Sequence, residues 1–169
     1  MTHNNQLIHE PDYADPKEPY AFFGLAVYFA QCFEQSAIVL LLVLRASGVK
    51  GLKGNTYDEV LSALDRETMG GLIRCLKAVV DVGSTLEERM SELLQKRNYL
   101  AHHFFERNSL RLLSESGRRA ILDELRQIAQ AFRDGDRILV GFYEPLFAKF
   151  GIEHEEIERE LDRMRAEMA

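Results

Sequence analysis

Tryptophan is absent from this 169-residue chain, cysteine occurs twice, and there are only four prolines. Three of these, Pro11, Pro16 and Pro19, lie in the first twenty residues, and only Pro145 follows. The proline-free run from Tyr20 to Glu144 leaves the helical hydrogen-bond ladder uninterrupted. β-Branched runs and turn dipeptides are also scarce, which argues against a sandwich or barrel of short strands. Two cysteines, Cys32 and Cys75, cannot build a disulfide framework and read as reduced core residues of a cytoplasmic protein. No CxxC or HExxH spacing occurs, so neither a metal nor a cofactor is expected. The polar start MTHNNQ is unlike a signal peptide. The apolar run 21–44 is interrupted by Gln31, Glu34 and Gln35, so no membrane span is expected.

What is present suits a soluble single domain of 19.4 kDa: 46% hydrophobic and 28% charged residues, enough to build a core without metal or disulfide staples. The net charge of −6 argues against a surface that attracts nucleic acid everywhere. Charge is unevenly spread, however. Residues 153–169 hold seven acids against three arginines. Residues 96–119 hold Lys96, Arg97, Arg107, Arg111, Arg118 and Arg119 against Glu106 and Glu115, with His102 and His103 among them.

Apolar spacing predicts an all-α bundle of five to six helices with short connections. A flexible arm over residues 1–18 precedes the bundle over 19–151, and a charged helix over 152–169 follows it. The first helix runs from Glu18 to Ala46, is apolar nearly all round, and stops before a glycine-rich segment. Thr56 with Glu59 forms a capping box for a short second helix. A third helix is expected over Thr68 to Val82. Ser84 with Glu87 reads as a second capping box, opening a helix that continues to Arg107. A long helix starts near Ser114 and repeats Ile121, Leu125, Ile128, Phe132, Leu139 and Phe142, with Gly135 and Pro145 as places for it to bend.

One segment departs from scaffold: Gln95-Lys96-Arg97-Asn98-Tyr99-Leu100-Ala101-His102-His103-Phe104-Phe105-Glu106. Leu86, Met90, Leu93, Leu100 and Phe104 share an apolar stripe, and Arg97 falls in the middle of it. A guanidinium buried there needs a carboxylate, a phosphate or an interface. Glu34, in the apolar first helix, is the obvious structural partner. Asn98 and His102, four residues apart, share a neighbouring face, so Asn98 could fix the His102 tautomer. His3, His9 and His154 carry no such context.

Arg97-Asn98-x3-His102, late in a helix of an all-α bundle, resembles the Arg-polar-x3-His motif of the HEPN superfamily. His103-Phe104-Phe105 is similar to one poorly characterised branch of it. The resemblance spans residues 20–150 and implies a homodimer that packs two motif helices together, acting as a metal-independent endoribonuclease, often a toxin or antiphage effector. It implies Arg97, Asn98 and His102 as catalytic residues and Lys96, His103, Arg107 and Arg111 as RNA contacts, with Glu34 as an orienting carboxylate. Arg97 and His102 lie about 140° apart on one ideal helix, and a two-fold axis would bring two of each to one cleft. The resemblance also implies 2′,3′-cyclic phosphate and 5′-hydroxyl ends, and an antitoxin or other regulator as partner. Where related toxins carry a tyrosine that a nucleotidyltransferase modifies, this chain has Phe104, so that control is not available. Two other readings stay open: a non-catalytic dimeric adaptor in which Arg97 pairs with Glu34, and a nucleotide-binding module using the same cleft.

Overall fold

Pro19 sits in the first turn of the first helix, where its missing N–H costs no hydrogen bond and its fixed φ suits helical entry. The computed structural model describes residues 8–150 and is an all-α helical bundle, with no strand among the described residues. Helix α1 (Glu18–Ala46) buries Phe22, Ala26, Phe29, Phe33, Ser36 and Leu40, alternating steps of four and three along one face. It ends in a Schellman motif at Gly48, whose φ is +92. The Gly48 N–H donates to Arg45 O and the Val49 N–H to Leu44 O, both at 3.0 Å. The most apolar stretch of α1 has a mean hydropathy of 1.7 and is long enough to cross a membrane, yet 56% of it is buried inside the bundle.

Helix α2 (Tyr57–Leu64) carries the expected capping box. The Glu59 N–H donates to Thr56 Oγ1 at 3.3 Å, and Glu59 Oε2 accepts from the Asn55 and Thr56 amides. Those two amides hold the Glu59 carboxyl below its ordinary pKa. Helix α3 (Met69–Val79) ends three residues before the expected Val82. β-Branched Val79 and Val80 favour leaving a helix, and Val80 is extended. Helix α4 (Ser84–His102) starts one residue too early for a Ser84 box. Gly83 is its N-cap, without a side-chain hydrogen bond, and Glu87 instead pairs with Lys77 of α3.

The second correction to α4 concerns its end. The helix does not continue to Arg107: it stops at His102, His103 leaves helical geometry (φ −130), and α5 (Phe104–Asn108) follows. The break reorients the chain, and α5 places both Phe104 and Phe105 against Phe23 of α1, with ring centroids at 4.9 and 4.7 Å. Asn108 ties the corner, donating to Phe104 O at 2.9 Å and to the Tyr99 hydroxyl at 2.7 Å.

A 3-10 turn (Arg111–Leu113) leads into α6 (Glu115–Phe147), opened by Ser114 Oγ accepting from the Gly117 N–H at 3.1 Å. Ile121, Leu125, Ile128, Phe132 and Leu139 are buried as expected, but Phe142 turns outward at 52% exposure and Tyr143 takes the inner position. Helix α6 continues through Pro145, which lacks the amide that would close a helical bond. Helices α1 and α6 run parallel, as Phe33 meets Phe132 (centroids 6.4 Å) and Ser36 Oγ donates to Asp136 Oδ1 at 2.5 Å. At Gly135 an added Cβ would meet Leu93 Cδ1 at 2.5 Å and Phe33 at 3.2 Å. This glycine therefore lets α4 and α1 close on α6 together.

Residues 8–17 have no helix but contact α1 and α6. Tyr13 donates to Asp123 at 2.7 Å, Arg126 donates to Glu10 at 2.8 Å, and the His9 ring lies 5.1 Å from Phe22. The charged helix expected over 152–169 lies outside the described residues.

Candidate functional site

The basic segment occupies the C-terminal half of α4, the break after it, and α5. Met90, Leu93, Leu100 and Phe104 form the buried side of the stripe, and Leu86 is half-buried. Arg97 is not enclosed by them. It sits at the stripe's edge beside α1, where its Nε donates to Glu34 Oε1 at 3.2 Å. The two side chains are 32% and 23% exposed. Among the described residues Arg97 makes no other hydrogen bond, so both terminal amino groups remain open to an anion.

Asn98 and His102 are exposed, and no hydrogen bond joins them among the described residues. The His102 tautomer is therefore not held by Asn98. The His102 and His103 rings stand edge to face with centroids at 6.2 Å. His103 Nδ1 lies 3.6 Å from Glu106 Oε2, an ion pair when the imidazole is protonated. Lys96 is half-buried on the same helix.

The remaining arginines are drawn elsewhere. The Arg107 guanidinium lies over the Tyr99 ring at 5.9 Å. Arg111 donates to Asn108 Oδ1 at 2.6 Å and to Glu124 at 3.3 Å, so it braces the corner rather than projecting beside Arg97. Burial and the nearby Glu124 carboxylate raise the Tyr99 phenol pKa. The structure thus brings Arg97 to Glu34 and His102 to His103, while Arg111 belongs to a separate polar cluster.

Two features escaped the sequence reading. Asn108, in a polar stretch, is a buried hub with three hydrogen bonds, and nothing in the pattern marks it. Ser36 and Asp136 form a buried polar contact between α1 and α6. Their signal was present: each is a polar residue on an otherwise apolar stripe, as Glu34 and Arg97 are in their own helices. A third feature is an exposed aromatic face. Tyr20 and Phe105 stack with centroids at 6.1 Å and planes 19° apart, at 54% and 44% exposure, and Tyr28, two turns further along α1, is 49% exposed.

Among the described residues no group of three His, Cys, Asp or Glu side chains could hold a metal ion. No family model, curated protein or solved structure matches the chain. The fold and site define the class: an all-α bundle with a basic, histidine-bearing helix end beside an exposed aromatic face.

Proposed function

We propose that the protein is a metal-independent endoribonuclease of HEPN type, working in the cytoplasm as a homodimer with a composite site, in the manner of a toxin or antiphage effector. The observation that carries this reading is the local arrangement at Arg97. Glu34 holds its Nε, its terminal amino groups stay open, and exposed His102 follows five residues later in a basic segment. A guanidinium anchored by one edge is oriented before substrate arrives, which favours phosphate binding over a freely rotating side chain.

The chemistry uses the chain's own groups. His102 of one subunit takes the proton of the ribose 2′-hydroxyl as its oxygen attacks phosphorus. The partner subunit's His102, protonated, gives a proton to the leaving 5′-oxygen. Arg97 neutralises charge developing on the non-bridging oxygens. The bond formed is 2′-O–P and the bond broken is P–O5′, giving a 2′,3′-cyclic phosphate and a 5′-hydroxyl. DNA lacks the nucleophile and is spared. Lys96 and His103 lie close enough in the chain to contact flanking phosphates, whereas Arg111, spent on Asn108 and Glu124, contributes to the corner's shape. The exposed Tyr20, Tyr28 and Phe105 give a second copy an apolar face beside the motif. An antitoxin or regulator would act by covering the same face.

RNA incubated in EDTA with the wild type, Arg97→Ala and His102→Ala tests the reading. Cleavage by the wild type alone supports it, and equal cleavage by all three, or by none, removes it. The Arg97–Glu34 contact itself favours one second reading, a non-catalytic dimeric adaptor in which that pair is structural. That reading expects Arg97→Ala to lower thermal stability sharply, with no nuclease phenotype on expression.

A further inference from the structure

The two most exposed large apolar side chains among the described residues are neighbours. Leu110 and Leu113, in the corner between α5 and α6, are 80% and 79% open to solvent. Their placement follows from the local backbone. The Leu113 N–H donates to Leu110 O at 3.2 Å, closing the 3-10 turn over Arg111–Leu113. Residues three apart in such a turn stand on the same side. The two leucines therefore project together, while Leu112 between them packs against the core.

The corner is tied on both sides of the pair. Buried Asn108 donates to Phe104 O, Arg118 donates to Leu112 O at 3.3 Å, and Ser114 caps the start of α6. The projection is thus a built feature of the fold, and holding it in water is unfavourable without a partner.

We propose that this corner docks the protein on an anionic lipid surface, with Leu110 and Leu113 entering the edge of the acyl region and neighbouring arginines meeting lipid phosphates. Two observations select this occupant. The first is shape. The pair stands on a convex turn, for which a protein partner would need a matching pocket, whereas a lipid surface yields around it. The second is charge. Residues 106–119 carry Arg107, Arg111, Arg118 and Arg119 against Glu106 and Glu115, a positive corner in a chain of net charge −6. Arg111 stands between the two leucines in sequence, and 43% of its side chain is exposed. The Arg119 side chain is 56% exposed. Arginine stems lie along apolar surface while their guanidinium groups stay at headgroup depth. A small apolar insert beside basic groups combines the two attractions that hold a protein on a negatively charged leaflet. Neither leucine has a part in the RNA chemistry, so the inference stands apart from it.

Cosedimentation of the full chain with vesicles, in the absence of RNA, tests the proposal. One set is phosphatidylcholine alone, the other phosphatidylcholine with an equal amount of phosphatidylglycerol. The wild type is expected to bind the mixed vesicles at least about tenfold more tightly than the neutral ones, and to release as salt rises. Joint replacement Leu110→Ser and Leu113→Ser should weaken that binding at least about tenfold, and Leu110→Phe with Leu113→Phe should keep it. Tyr57→Ser, at another exposed aromatic on α2, should leave it unchanged. Side chains this exposed are replaceable without altering thermal unfolding, so the loss reports the surface and not the fold. Equal binding to both vesicles, binding that the serine pair retains, or binding that Tyr57→Ser loses to the same extent overturns the proposal. No binding to either vesicle also overturns it, and leaves the leucine pair to a protein with a matching pocket.

Discussion

At position 97 a cation stands at the edge of an apolar stripe, and its energetics follow from how far it is exposed. With about a third of the guanidinium side chain in water, solvent screens the Glu34 contact. Its contribution to folding is then under about 1 kcal/mol, the range of exposed ion pairs. Arg97→Ala and Glu34→Gln are therefore expected to leave thermal unfolding nearly unchanged, which calorimetry can check and which separates this account from the structural-pair reading. Activity should respond differently. Removing the charge from a developing phosphorane costs roughly 100-fold or more in turnover, and His102→Ala costs about 10²–10⁴-fold. Legibility at this scale was mixed. Glu34 and Arg97 could be paired on paper because each is a charged residue in an apolar stripe. Asn108 could not be found, because its role depends on a corner that only the three-dimensional path of Phe104 and Phe105 creates.

The elements themselves were read well where local chemistry decides them. The bounds of α1 follow from Pro19 and Gly48, and the start of α2 follows from Thr56 and Glu59. Departures arose where tertiary contacts accompany a local change: Glu87 pairs with Lys77 rather than capping, and after α4 stops at His102 the two phenylalanines of α5 meet Phe23. Two glycines carry packing that no periodicity displays. An added Cβ at Gly117 would lie 2.1 Å from the Arg111 carbonyl oxygen. Gly117→Ala must push the 3-10 turn away from α6, costing roughly 1–3 kcal/mol as overpacking does. Chemical denaturation should show that loss, and Gly135→Ala a comparable one. The α2 capping box adds a pH dependence. Glu59 has a lowered pKa in the folded chain, so its contribution is complete above the ordinary carboxylate pKa and disappears as pH falls through the lowered one. The stability difference between wild type and Glu59→Gln should thus be largest at neutral pH and vanish in acid.

For the whole molecule, the all-α class was legible from the missing prolines and the 3.6-residue apolar period, whereas the parallel α1–α6 pairing was not. Periodicity identifies the buried face of a helix and says nothing about which neighbour it meets; Ser36 and Asp136, Phe33 and Phe132 supply that register. Sedimentation at micromolar concentration is expected to give a dimer, and Tyr28→Glu, placed on the exposed face of α1, to shift it toward monomer and lower RNA cleavage in parallel. The central claim is that His102 and Arg97 cleave RNA through its own 2′-hydroxyl. One measurement tests it most directly: end-group analysis of an RNA oligonucleotide and its 2′-deoxy counterpart after incubation with the full chain in EDTA. The account expects 2′,3′-cyclic phosphate and 5′-hydroxyl ends from the RNA, an intact deoxy strand, and no products with His102→Ala. Absence of RNA cleavage, cleavage of the deoxy strand, 5′-phosphate ends, or full activity in His102→Ala would contradict it.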